Sequence, residues 1–246
     1  MIAAPLRIAV QLLTRLPAGA PAEPEAGDMG KAVVYYPVVG LLIGLVLALA
    51  GAVLDSGGPP LVGAALVVVI WMGLTGLLHV DGLADSADAW LGGQGDSERT
   101  LTILKEPTVG PAGVALVAGV LLVKLGAVAA LLGAGSVLVA VPVLARAGTI
   151  WLLLTTSYIR EEGMGALAAR NLPRAPGYAA VTIAVLFGLF LTGVTGFAAL
   201  VAGGIALVFL RWLMQQRIGG VTGDTLGAAI EVTEAALLAA FAYALV

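Results

Sequence analysis

Cysteine is absent from all 246 residues, which excludes disulfides, thiol nucleophiles and thiolate metal sites, so a metal must be held by oxygen. Charge is scarce as well: 11% of the residues are charged, against roughly 25% in a soluble globular domain. Water is therefore not the main solvent. The first 17 residues carry Arg7 and Arg15 but neither a long apolar core nor a small-residue cleavage site, so no cleaved signal peptide is expected. What fills the chain is apolar: 60% of residues are hydrophobic, and 34 are glycine. Glycine does not argue against helix here, because small residues let helices approach closely in a bilayer.

Several apolar runs approach the about 20 residues needed to cross a hydrocarbon core of about 30 Å. Read against the helix breakers, they predict spans at 33–54, 61–80, 112–132, 137–156, 178–192, 197–213 and 232–246. The fifth and sixth come from one long stretch, split at Gly193-Val194-Thr195-Gly196 because two glycines around β-branched residues suit a tight reversal. The expected fold is an all-α, polytopic membrane bundle of about seven transmembrane helices, forming a single membrane-embedded catalytic domain over 1–246. Residues 1–32 supply an amino-terminal interfacial helix and a loop. Alternation then places loops 81–111, 157–177 and 215–231 on one side. Arg7, Arg15, Lys31, Arg99, Lys105, Arg160, Arg170, Arg174, Arg211 and Arg217 all fall there, and the opposite loops hold no Lys or Arg. By the positive-inside bias that side is cytoplasmic, which predicts a multi-pass protein of the cytoplasmic (inner) membrane.

Two acidic segments share that side. In His79-Val80-Asp81-Gly82-Leu83-Ala84-Asp85-Ser86-Ala87-Asp88, a helix puts Asp81, Asp85 and Asp88 at i, i+4 and i+7 on one face. Like charges stacked there repel, and beside a membrane little water screens them. A divalent cation removes the repulsion, and an open site of oxygen ligands suits magnesium bound with a phosphate substrate. The second segment holds Gly219, Gly220, Thr222, Gly223, Asp224 and Thr225, followed by Glu231 and Glu234 at i, i+3. Glycines ahead of a helix turn backbone amides toward an anion, which makes Gly220, Thr222, Gly223 and Thr225 candidate phosphate binders, with Asp224 and Glu231 as further metal ligands. Each run also has a bland reading, as a solvated helix start or a flexible turn.

Phosphoryl transfer needs positive charge as well as a metal. Lys105, Arg99, Arg160, Arg170 and Arg174 can supply it, although the positive-inside bias alone accounts for any one of them. Lys124 and Arg146 fall well inside predicted spans, where a charge faces a polar cavity or a partner, so both are expected in the bundle interior and are further substrate-binding candidates. His79, the only histidine, is either a hydrogen-bonded structural group or a base.

The runs His79–Asp88 and GGVTGDTLGAAIE (219–231), the segment Arg160-Glu161-Glu162-Gly163-Met164-Gly165, Thr14-Arg15-Leu16-Pro17 and Tyr36-Pro37-Val38-Val39-Gly40 together resemble the cobalamin-5′-phosphate synthase, or adenosylcobinamide-GDP ribazoletransferase, family. The matches run in order from residue 14 to residue 234. The resemblance implies a magnesium-dependent membrane enzyme that joins adenosylcobinamide-GDP to α-ribazole or its 5′-phosphate and releases GMP. Asp81, Asp85 and Asp88 match the family's first acidic motif, and Asp224 and Glu231 its second. Two departures stand out. Asp88-Ala89 replaces the usual Asp-Gly, and Lys105-Glu106-Pro107-Thr108-Val109-Gly110 replaces a Lys/Arg-Asp-Ser-x-x-Gly loop.

The mechanism expected is in-line transfer. One or two magnesium ions on Asp81, Asp85, Asp88 and Asp224 or Glu231 bridge the pyrophosphate, Lys105 or a loop arginine such as Arg160 offsets charge on departing GMP, and a carboxylate or His79 takes the ribose proton. Membrane lipid surrounds the chain, nucleic acid is not an expected partner, and self-association into a homo-oligomer stays open. Rival readings are a CDP-alcohol phosphatidyltransferase, whose motif Asp81-Gly82-Leu83-Ala84-Asp85 does not fit, an intramembrane prenyltransferase, and an anion transporter built on Lys124 and Arg146.

Overall fold

A chain with so little charge must satisfy its backbone polar groups internally, and helices do that within each segment. The computed structural model describes residues 3–21 and 23–245, so the first two residues of the amino-terminal segment, Ala22 and the last residue of the seventh expected span lie outside it. It is helical throughout: α1 Ala4–Leu13, α2 Ala26–Val34, α3 Tyr36–Leu54, α4 Pro60–Thr75, α5 Leu78–Gly92, α6 Ser97–Ile103, α7 Pro111–Ala130, α8 Gly135–Thr155, α9 Met164–Arg170, α10 Arg174–Ile218 and α11 Gly223–Leu245. No strand forms among the described residues, only an isolated bridge between Tyr158 and Val221. The all-α membrane bundle read from the sequence is what is found.

Five helices, α3, α7, α8, α10 and α11, are long and apolar enough to cross a membrane, and the bent pair α4–α5 makes a sixth candidate. The 45 residues of α10 would extend about 67 Å if straight, twice a hydrocarbon core. They do not run straight. Gly193 takes φ 61°, ψ −143°, a backbone open to glycine and strained for other residues, inside the segment expected to reverse. Before the break, Gly177 lies against Ile150 and Leu154, and Gly188 against Leu144. After it, Leu207 lies against Gly148 and Arg211 reaches the carbonyl of Thr155. The two arms thus pass α8 in opposite directions, and counting them apart gives the seven spans expected.

At the centre stands α8, with sixteen of its residues buried, as a helix apolar on every side must be. Its last carbonyls have no partner within the helix. Arg174 donates to Leu154 O at 3.0 Å and Arg211 to Thr155 O at 2.8 Å, so Arg174 serves here as a helix-end partner.

The second expected span needs correction. It stops at Thr75 instead of residue 80, because Gly76 and Leu77 both adopt left-handed conformations, φ 61° and 63°, and turn the chain by 90° into α5. The acidic helix therefore leaves the direction of α4 and lies across the first turns of α7 and α11.

Candidate active site

Close contact between α5 and α11 brings the two acidic segments together. A Cβ on Gly82 would lie 2.5 Å from the carbonyl oxygen of Asp224, so the first turn of α11 rests on the bare backbone of α5. Gly227 packs likewise against His79. The loop after α8 adds a third wall: Val221 N donates to Ser157 O at 2.8 Å and Ile159 N to Val221 O at 2.9 Å. Gly220 makes that pairing possible, since a Cβ there would meet Ser157 O at 2.2 Å. One residue further on, Arg160 donates to Asp224 Oδ2 at 2.5 Å and to Leu104 O at 3.3 Å, tying the loop to the second acidic segment and to the end of α6.

The result is a cavity of about 210 Å³ whose lining includes Leu12, Leu13, His79, Asp81, Tyr158 and Asp224. Asp81 is exposed, and Asp85 and Asp224 are half-buried beside it. Burial, then the charges of Asp81, Asp224 and Asp88, push the Asp85 carboxyl up to about 6, with Arg160 pulling the other way. Asp81 and Asp224 make the lining electronegative, and Arg160 is bonded to Asp224 beside it.

Other expected residues take different places. Asp88 accepts from Gly110 N at 2.6 Å through Oδ2 and from Gly113 N at 2.9 Å through Oδ1, so both of its oxygens hold amides at the start of α7. Thr222 and Thr225, fully buried, bond reciprocally: Thr222 N donates to Thr225 Oγ1 at 2.8 Å and Thr225 N to Thr222 Oγ1 at 3.3 Å. That capping leaves neither hydroxyl turned to a substrate. Gly223 is exposed and lines the cavity, whereas Gly220 is buried in the loop pairing. Arg99, Lys105 and Arg170 are exposed outside the cavity lining.

Lys124 and Arg146 do face the bundle interior, but away from the acidic mouth. Lys124 Nζ binds Glu231 Oε2 at 2.6 Å and Glu234 Oε2 at 2.5 Å, and Arg146 Nη1 binds Glu234 Oε1. All four are buried, two cations against two carboxylates, with Lys124 also 4.6 Å over the Trp71 ring. Glu231 is thereby separated from the carboxylates it was expected to join, and neither cation remains free for a substrate or a transported anion. His79 sits at the edge of this network, its Nδ1 3.4 Å from Arg146 Nη2, while Nε2 is buried without a partner. Tyr158 and the α1 residues Leu12 and Leu13 were not foreseen, nor was the pairing of Glu234 with Lys124 and Arg146. A usable signal existed for Glu234, because it is the one carboxylate inside the expected spans, which also hold Lys124 and Arg146.

Does this donor set suit magnesium? Among the described residues, no three acidic or histidine side chains form a ready cage. Magnesium, however, commonly binds through one or two carboxylates together with substrate phosphates and waters. Asp81, Asp85 and Asp224 at an open mouth fit that pattern, whereas Asp88 and Glu231 are held elsewhere.

Fold and site define a class: a polytopic helical membrane protein with clustered carboxylates, one of them bound by an arginine, at a small cavity at one end of the bundle. The chain belongs to the cobalamin-5-phosphate synthase family, whose model matches residues 5–242. It is 45% identical over 97% of its length to an adenosylcobinamide-GDP ribazoletransferase of Stutzerimonas stutzeri (strain A1501), of which it covers 97%. It is 49% identical to the same-named protein of Pseudomonas paraeruginosa, covering 96% of this chain and 97% of that one. A relative of that name in Pseudomonas aeruginosa PAO1 is 48% identical over 96% and 97% of the two chains. No solved structure matches.

Proposed function

We propose that this protein is the transferase that completes the nucleotide loop of cobalamin, passing the adenosylcobinamide-phosphate group of adenosylcobinamide-GDP to α-ribazole or its 5′-phosphate and releasing GMP. The observation that carries the reading is the meeting of Asp81 and Asp224 in the lining of one cavity, with Asp85 within reach of both charges and Arg160 bonded to Asp224, in a chain matched to the family over almost its whole length. In the reaction the ribose 3′-oxygen bonds to the phosphorus on the aminopropanol arm. The bond from that phosphorus to the bridging oxygen breaks, GMP leaves with the bridging oxygen, and the hydroxyl proton passes to a carboxylate. Asp85 suits that proton, since a carboxyl lifted to about 6 is a better base near neutral pH than an ordinary one.

Magnesium, held by Asp81 and Asp224 with Asp85 beside them, would supply charge neutralisation on the diphosphate. Arg160, bonded to Asp224, ties the loop after α8 to this site. The cavity of about 210 Å³ is below the 300–1,000 Å³ of common small-molecule pockets, so only the diphosphate and the attacking ribose enter it, and the corrinoid stays outside. The acidic end would face the cytoplasm of a bacterial inner membrane, as the distribution of Lys and Arg favours.

The test is GMP release by the purified chain in detergent, supplied with adenosylcobinamide-GDP and α-ribazole, with and without magnesium. Magnesium-dependent release is expected. Failure to release GMP under any metal condition would remove the proposal.

A further inference from the structure

The chain's cations sort by what they touch. Arg160 is tied to Asp224, Lys124 and Arg146 to Glu231 and Glu234, and Arg174, Arg211 and Arg217 donate to main-chain carbonyls at helix ends. Arg15 has no ion pair and no guanidinium hydrogen bond among the described residues, yet its main chain is fixed. Its N donates to Leu74 O at 2.8 Å, and the preceding Thr14 hydroxyl donates to Val10 O at 2.7 Å while accepting from Leu16 N at 3.2 Å.

Its side chain runs over the bend between α4 and α5. A Cβ on Gly76 would lie 2.2 Å from Arg15 Nε and 2.3 Å from its Cγ, so the arginine fills the space that this left-handed glycine leaves. Leu12 and Leu13, just before Arg15, line the cavity, and so do Leu78, His79 and Asp81, just after Gly76. The same two segments that hold Arg15 therefore build the rim. Arg15 is exposed and, like Arg99, Lys105 and Arg170, is not itself in the lining; its packing over Gly76, between two segments that are, sets it apart.

We infer that Arg15 is a phosphate-binding residue at this rim, its guanidinium holding a non-bridging oxygen of the diphosphate carried by the corrinoid substrate. The inference rests on the transfer reaction proposed above. An acidic mouth repels a diphosphate, and Arg160 is already engaged by Asp224, whereas the Arg15 guanidinium is unpaired among the described residues and lies between two cavity-lining segments. Guanidinium is suited to the task, since it offers paired donors that match phosphate oxygens. A phospholipid headgroup presents the same oxygens, so the test must separate the two sources.

Arg15→Ala and Arg15→Lys are compared with wild type as full-length protein, in detergent and in nanodiscs of zwitterionic or anionic phospholipid. For Arg15→Ala, KM for adenosylcobinamide-GDP should rise ~10-fold or more, as for a lost charge-assisted hydrogen bond, with KM for α-ribazole unchanged. Arg15→Lys should recover part of the loss in every lipid, and should itself bind the diphosphate substrate more weakly than wild type even if the alanine variant does not insert. An unchanged KM, an equal rise for both substrates, or a defect confined to one headgroup composition would overturn the assignment. Absence of GMP release by wild type would overturn the transfer reading and this inference together, whereas normal wild-type release with unaltered variants overturns the inference alone.

Discussion

Asp85 is the residue whose chemistry is most altered by where it sits. Partly buried and facing Asp81, Asp224 and Asp88, it holds its proton up to about pH 6. Its folded-state value lies above the ordinary carboxylate range, so the carboxylate form that transfer needs is populated above pH 6 and lost as pH falls through it. In the metal-free protein Asp85 should accordingly titrate near pH 6, and lower in Asp81→Asn, because one repelling charge is gone. Carboxyl NMR titration of magnesium-free Asp81→Asn, beside wild type, measures this. A titration that stayed put would remove Asp81 as a cause of the shift. Asp85→Asn should cost about 100-fold or more in turnover while leaving the melting temperature in detergent within a few degrees of wild type. Asp88 predicts the reverse balance. Its oxygens serve Gly110 and Gly113, so Asp88→Ala should lower stability by about 1 kcal/mol through lost capping, and should lower activity only through the displaced α7.

Between elements, the contact of α5 with α11 and the ion network behind it fix the site. Gly82→Ala would drive a methyl group into the Asp224 backbone, and Asp81 and Asp85 would move away from Asp224. Turnover should fall at least about 100-fold, since a misplacement near 1 Å is enough to do so. Full activity in that variant would show that the two acidic segments act separately. Glu234 binds Lys124 and Arg146 together, and Glu234→Gln leaves a buried positive charge uncompensated. A loss of about 3–5 kcal/mol is expected, read as a lower melting temperature of the detergent-solubilised protein.

These elements were unequally legible in the sequence. Spans show because the bilayer demands long apolar runs, and the break at Gly193 shows because a 45-residue helix cannot fit one crossing and glycines mark where it reverses. The bend after Thr75 did not show: it places Leu77 at φ 63°, a conformation that a leucine does not advertise. Asp88 as a cap was equally hidden, because its partners lie 22 and 25 residues away and only the folded α5–α7 contact reveals them. Glu231 read as a metal ligand because spacing gives the face of a helix but not its depth. About two to three turns of helix divide Asp224 at the mouth from Glu231 and Glu234, the buried carboxylates that answer Lys124.

At the scale of the whole molecule, the site exists only if loops distant in sequence share one side of the bilayer. The structure puts Asp81, Asp224 and Arg160 together at one end of the bundle, and the far end carries the 55–59 turn between α3 and α4. The absence of cysteine makes this directly measurable, since any introduced thiol is the only one present. Ser56, Ser97 and Ser157 are all exposed and lie in the far turn, at the start of α6 and in the loop after α8. Single Ser97→Cys and Ser157→Cys proteins should resist an impermeant maleimide in intact cells and react once the membrane is opened, whereas Ser56→Cys should react from outside. Labelling of Ser97→Cys and Ser157→Cys from opposite sides would dismantle the site. Joint labelling of that pair from outside would preserve its geometry but require the nucleotide substrate to arrive from the other compartment, contrary to the side that ten lysines and arginines favour.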